Sequence, residues 1–152
     1  MMKRVKALMN NQKGLTLVEL LAVIVILGII AAIAVPSIGN IIDNSKKDAH
    51  IANAQQLISS AKLAVAANDD IVKNRPVTVT YEQLEKAGYL ADLTDPDDKG
   101  KLYSTAQVKI TETNGKYEYT VTLIGSKRSI TNKKASELNR ESVVAPTPST
   151  TT

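Results

Sequence analysis

The chain has 152 residues, with no Cys, Phe or Trp and a single His. That length allows one modest domain, or one domain with an appendage, and the composition excludes disulfides, thiolate metal sites, thiol catalysis and any His-pair metal site within one chain. The net charge of +4 misleads: Lys3, Arg4, Lys6 and Lys13 stand in the first 14 residues without an acid, and the rest of the chain is formally balanced, so bulk charge gives no support to a nucleic-acid-binding domain.

Residues 15–42 read LTLVELLAVIVILGIIAAIAVPSIGNII, and from Leu20 to Val35 no side chain is more polar than Gly. Extended back to Leu15, the run is interrupted only by Thr16 and Glu19. As a helix it covers roughly 30 Å, the thickness of a bilayer's hydrocarbon core. The basic flank before it predicts a cytoplasmic N-terminus, a single span and export of the chain beyond Ile42. Three readings compete. One is a secretory signal peptide cut after Ala34, with Ala32-Ile33-Ala34 as the small-residue site. Another is a plain anchor. Both leave Glu19 idle, although a lone carboxylate at that depth is costly and calls for a partner. The third reading supplies one. A cut after Gly14 would give Leu15 a new α-amine, and residues 15 and 19 share a helix face at i and i+4.

Lys13-Gly14-Leu15-Thr16-Leu17-Val18-Glu19-Leu20-Leu21 resembles the class III signal of type IV prepilins and the related pseudopilins. The shared pattern is a short basic leader ending in Gly, an apolar residue, Glu at the fifth mature position and an apolar helix. Pro36 falls where many members carry a helix-kinking Pro. The resemblance is dense over residues 13–40 and only architectural beyond about residue 68. It implies cleavage between Gly14 and Leu15 by prepilin peptidase and N-methylation of Leu15, although Phe is the commoner residue there. It also implies that Glu19 pairs with a neighbouring subunit's amine during assembly.

The apolar pattern then turns amphipathic: Ile38, Ile41, Ile42, Ala49, Ala52, Ala54, Leu57, Ile58, Ala61, Ala64 and Val65 recur largely at three- and four-residue spacings. This predicts one helix from about Leu15 to about Ala67, with a bend or melted stretch at Pro36–Gly39. Asn68-Asp69-Asp70 reads as its stop. The domain plan is leader 1–14, membrane or filament-core helix 15–36, amphipathic half 37–68, head 69–142 and tail 143–152. His50 is expected to be a solvated helix residue.

Thr80-Tyr81-Glu82-Gln83 predicts a capping box opening a helix over Tyr81–Ala87, stopped by Gly88. Residues 81–90 loosely resemble a segment of major pseudopilins. Residues 94–100 form a turn by composition. Asp95, Asp97 and Asp98 there are weak calcium candidates, since clustered carboxylates suit a hard cation and some pseudopilins hold calcium near this position. A solvated acidic turn is the plainer expectation. Ala106–Thr113 and Lys116–Ile124 alternate as strands around Asn114-Gly115, a strong hairpin signal. Ser129–Asn132 or Val77–Thr80 supplies a third strand, with no basis for choosing. Tyr-bearing strands beside Lys127, Arg128, Lys133 and Lys134 raise a nucleic-acid surface. The plainer expectation is a Tyr-based sheet core with a solvated basic edge. Residues 143–152, VVAPTPSTTT, read as a mobile tail.

The expected fold is α+β: a long N-terminal helix, its first half membrane-spanning, packed on a small antiparallel sheet. The chain shows no paired-carboxylate, nucleophile–His, phosphate-loop or zinc motif and reads as a structural subunit, not an enzyme. The family implies a pilus or pseudopilus filament of identical subunits, made from a single-pass bacterial membrane precursor and ending at the cell surface. Its partners are prepilin peptidase/methyltransferase, an inner-membrane assembly platform and, before assembly, membrane lipid. Nucleic acid becomes a partner only for a competence pseudopilin. A competence or type II secretion pseudopilin and a secreted domain freed at Ala34 stay as alternatives.

Overall fold

The computed structural model describes residues 2–146, with side chains from residue 16 onward. The chain divides into two units after Asp43. Helix α1 (Met2–Ala66) supplies the first unit and opens the second. It starts well before the expected Leu15, because the leader is rich in Met and Lys and also holds Arg, Ala, Leu and Gln, all good helix formers. It also runs through Pro36, and residues 36–39 are helical, so the melted stretch is not seen. Proline removes the one bond to the carbonyl four residues back. The regular turns on either side hold the helix across that gap, since propagation costs far less than nucleation.

In the first unit, from Thr16 on, apolar side chains cover every face of the helix and are exposed; Leu17 is 68% and Ile33 72% accessible. A helix apolar all round belongs in lipid or in the core of a larger assembly.

In the second unit α1 buries one stripe, His50, Ala54, Leu57, Ile58, Ala61 and Ala64, at the i, i+3, i+4 spacing of a single face. The helix ends in a Schellman motif. Asn68 takes the left-handed conformation at φ 54°, while its N–H donates to the Val65 carbonyl and that of Asp69 to Ala64. Asp69 then caps a 3-10 turn, Asp70–Val72, by accepting from the Ile71 N–H.

Both candidates for the third strand are used. The sheet is antiparallel with order β1 (Val77–Thr80), β2 (Thr105–Thr113), β3 (Lys116–Ile124), β4 (Ser129–Lys134), so the two short strands form opposite edges. Val79, Val108 and Val121 lie in register across β1, β2 and β3 and are fully buried. With Ile110, Leu123 and Ile130 they share one core with the α1 stripe. Asn114 and Gly115 both take positive φ, 52° and 74°, as a type I′ hairpin requires. A bulge interrupts the β3–β4 pairing between Val121 and Leu123, and the buried Thr122 hydroxyl there bonds Asn132.

Helix α2 (Tyr81–Lys86) follows β1. Its capping box is formed as predicted: the Thr80 N–H donates to Gln83 Oε1 at 2.9 Å and Thr80 Oγ1 accepts from the Gln83 N–H at 3.4 Å. Gly88 stops the helix at φ 79°.

Two further expectations fail. The start of the tail is docked: Val143 is buried, and Val144 exchanges both backbone bonds with Ser129 at the outer edge of β4. An apolar Val-Val pair beside an unpaired edge has both a core and a ladder to join. Residues 147–152 of that tail lie outside the described residues. The Tyr-based sheet core is also wrong in part. Tyr81 and Tyr103 are buried, but Tyr117 is exposed beneath Arg75 and Tyr119 sits beneath Lys62. The aliphatic residues of the sheet fill its centre and leave the tyrosines of β3 to cation–π cover at its margin.

Candidate functional site

Two features stand out from ordinary packing. The first is the apolar helix of the first unit. From residue 16 to 42, Glu19 is the sole charged residue, and its side chain is exposed on α1. Gly14 and Leu15 lie in the same helix one turn earlier, and their side chains are outside the described residues. Pro36 also lies within α1. The helix is long and apolar enough to cross a membrane.

The second feature is a buried polar cluster built on the loop between α2 and β2. A bridge between Thr94 and Leu102 closes the neck of this loop. Inside it the Asp95 N–H donates to the Lys101 carbonyl at 2.8 Å and the Asp98 N–H to the Asp95 carbonyl at 3.2 Å. The solvated acidic turn expected here is not what forms, because the carboxylates of Asp95 and Asp97 are almost wholly buried. Asp95 Oδ1 accepts from the Asp97 N–H at 2.9 Å and its Oδ2 from the Ser126 N–H at 2.7 Å. Asp97 Oδ1 faces the Arg128 guanidinium and, at 3.3 Å, Lys46 Nζ. Asp97 Oδ2 lies 3.1 Å from His50 Nε2. Asp98, half-exposed, pairs with Lys101 at 2.7 Å.

His50 is likewise not solvated; it is fully buried. Its position four residues before Ala54 turns it onto the buried stripe, where the loop covers it. Its Nδ1 lies 2.9 Å from the Tyr103 hydroxyl, which accepts from Asn53 Nδ2 at 2.9 Å. With Nε2–H donating to Asp97, Nδ1 accepts from Tyr103, and a chain of bonds runs from Asn53 through Tyr103 and His50 to Asp97. Asn53 also donates to the Thr94 carbonyl at 3.0 Å. Burial pushes the Tyr103 hydroxyl well above its ordinary range and keeps it protonated. Burial alone would raise Asp97 too. Hydrogen bonds from Arg128, His50 and Lys46 outweigh it and hold that carboxyl down at about 2. For Asp95, burial is offset by the backbone donors of Ser126 and Asp97, and the net direction is again down.

Lys46, Asn53, Tyr103, Gly125, Ser126 and Arg128 are the members of this cluster that sequence reasoning did not connect. Gly125 has a steric role: a Cβ there would meet Asp95 Oδ2 at 2.8 Å and the Arg128 carbonyl oxygen at 3.0 Å. Arg128, expected on a solvated basic edge, is spent on Asp97, and Lys134 pairs with Glu118. Two of the four cations of the suggested nucleic-acid surface are therefore engaged within the chain.

Against known families, the prokaryotic N-terminal methylation motif matches residues 9–35, spanning Gly14, Leu15 and Glu19 and the apolar helix beyond them. The chain carries a type IV prepilin signal. The motif supports a precursor of pilin or pseudopilin type, and the proteins that bear it are structural pilin-like subunits. The motif implies processing by prepilin peptidase and assembly into filaments. No solved structure matches the chain. The exposed apolar girdle behind this prepilin signal fits membrane anchoring and a surface filament.

Proposed function

We propose that this pilin-like precursor is a structural subunit of a type IV pilus or pilus-like filament. It is inserted with its N-terminus in the cytoplasm and cut between Gly14 and Leu15. Leu15 is then N-methylated, and the subunit is added to a filament of identical subunits on an inner-membrane assembly platform. The observation that carries this reading is the unburied helix of the prepilin signal, apolar on every face and charged only at Glu19. In lipid its surface is satisfied, and outside lipid only the helices of other subunits can cover it. The contact between neighbours is heterologous and does not close, so it propagates into a filament. Apolar matching drives it. Glu19 sets the register by accepting the neighbour's terminal ammonium, a charge pair whose loss inside an apolar assembly leaves an uncompensated acid.

A pilus or general pseudopilus subunit is preferred to a competence pseudopilin because the major competence pseudopilins of Gram-positive bacteria are often shorter and often contain Cys; a type II secretion pseudopilin is the other specialised form. Those two roles, in DNA uptake and protein export, are the alternatives. The test joins N-terminal sequencing to filament yield. A mature chain starting at Leu15 supports the proposal, and one starting at Val35 points to a secreted domain. Glu19→Ala is expected to insert normally and to lose at least about tenfold in filament incorporation, the equivalent of ~1.4 kcal/mol per addition. Undiminished yield would refute the role of Glu19.

A further inference from the structure

Residues 94–100 are where clustered carboxylates and the family resemblance suggested calcium, and the donors of this loop do not fit that ion. Calcium takes six to eight oxygen ligands. The four carboxylate oxygens of the two buried acids already accept bonds from the chain: Asp95 from the N–H groups of Asp97 and Ser126, Asp97 from Arg128 and Lys46 on one oxygen and from His50 on the other. His50, grouped with these two acids, offers an imidazole nitrogen, which suits borderline transition metals better than a hard cation. The local charge is closed as well. Two buried carboxylates stand against one guanidinium and one ammonium, and Asp98 beside them is paired with Lys101. A dication would have to enter next to Arg128 and Lys46 and displace at least one of them from Asp97.

We propose that Arg128, assisted by Lys46, takes the place of a divalent cation in this loop and makes the lock between helix and sheet independent of metal. The partners come from three elements. Lys46 and His50 belong to α1, Asp97 to the loop, and Arg128 and Ser126 to the β3–β4 connection. Asp97 is the point at which the three meet, as a bound ion would be. The guanidinium suits this position better than an ammonium because its charge is fixed and its donors form a rigid fork. Gly125 permits the closure, since any side chain there would press on the Asp95 carboxylate.

The test is thermal unfolding of the full chain in detergent micelles, followed by the circular dichroism of the sheet, with millimolar calcium chloride and with EGTA. The wild-type midpoint is expected to be the same in both. Arg128→Gln is expected to lower it by at least about 5 °C, because the buried Asp97 carboxylate then keeps only Lys46 and His50 and loses its guanidinium. Arg128→Lys is expected to fall between the two. A wild-type midpoint that rises with calcium or falls with EGTA would overturn the proposal. So would Arg128→Gln melting like wild type, or Arg128→Lys recovering nothing. If Arg128→Gln does not fold, the wild-type comparison and Arg128→Lys still decide.

Discussion

At the scale of single residues, burial decides what a polar side chain does, and His50 and Asp97 are the clearest cases. Each would be costly to bury alone, yet together with Arg128, Lys46 and Tyr103 they form a set in which each buried group has a partner. The Asp97 carboxyl makes a pH-dependent contribution whose sign is fixed. Its folded value lies at about 2, below the ordinary 3.8. A depressed carboxyl stabilises the fold above its unfolded value and loses that contribution as the pH falls through the folded one. The stabilisation is on the order of 2 kcal/mol, present above about pH 4 and gone near pH 2. Urea unfolding of wild type across that window should show the loss, and Asp97→Asn should flatten most of the slope. Asp95, shifted in the same direction, adds to the wild-type slope and persists in the variant. A wild-type profile flat down to pH 2 would contradict the assignment. The position of His50 was legible in principle: 50, 54, 57 and 61 follow helical spacing, so it belongs to the apolar stripe. Its partners were not legible, because Asp97 and Tyr103 lie 47 and 53 residues away in sequence.

At the scale of elements, what could be read was whatever depends on neighbours in sequence. The hairpin at Asn114-Gly115 and the stop at Gly88 rest on positive φ, a demand made by local geometry alone. The capping box at Thr80 and Gln83 is likewise confined to one turn. Its removal by Thr80→Ala should cost about 1 kcal/mol of head stability, as loss of a helix N-cap typically does. Denaturant unfolding should then show a lowered midpoint with an unchanged slope. Thr80→Asn should keep most of the stability, because its side-chain oxygen can still accept from the Gln83 N–H; equal loss in both variants would place the cost in the adjoining strand instead of the cap. What could not be read was set by distant partners. Both short strands fit the same alternating pattern, and only the sheet shows that each takes one edge. The tail looked free because Pro and Thr dominate its composition. The two valines at its start are instead claimed by the edge of β4.

At the scale of the whole chain, the two units obey opposite rules, and a truncation can separate them. The first unit leaves its apolar side chains uncovered, whereas the second encloses its own from His50 onward and has no fully buried residue before it among those described. Everything the head core needs therefore lies after residue 43. A fragment of residues 44–152 is expected to fold, to remain soluble without detergent and to elute as a monomer, because its large apolar residues lie mostly in a single core and no contiguous apolar face comparable to the helix of residues 16–42 remains. The full chain is expected to require lipid or detergent. Its melting midpoint in micelles should match that of the fragment within a few degrees, since the removed helix contributes nothing to the head core. Size-exclusion chromatography and circular dichroism decide both points. A fragment that assembles by itself would move the filament contact from the stem to the head, and one that fails to fold would show that the stem supports the core it does not enter.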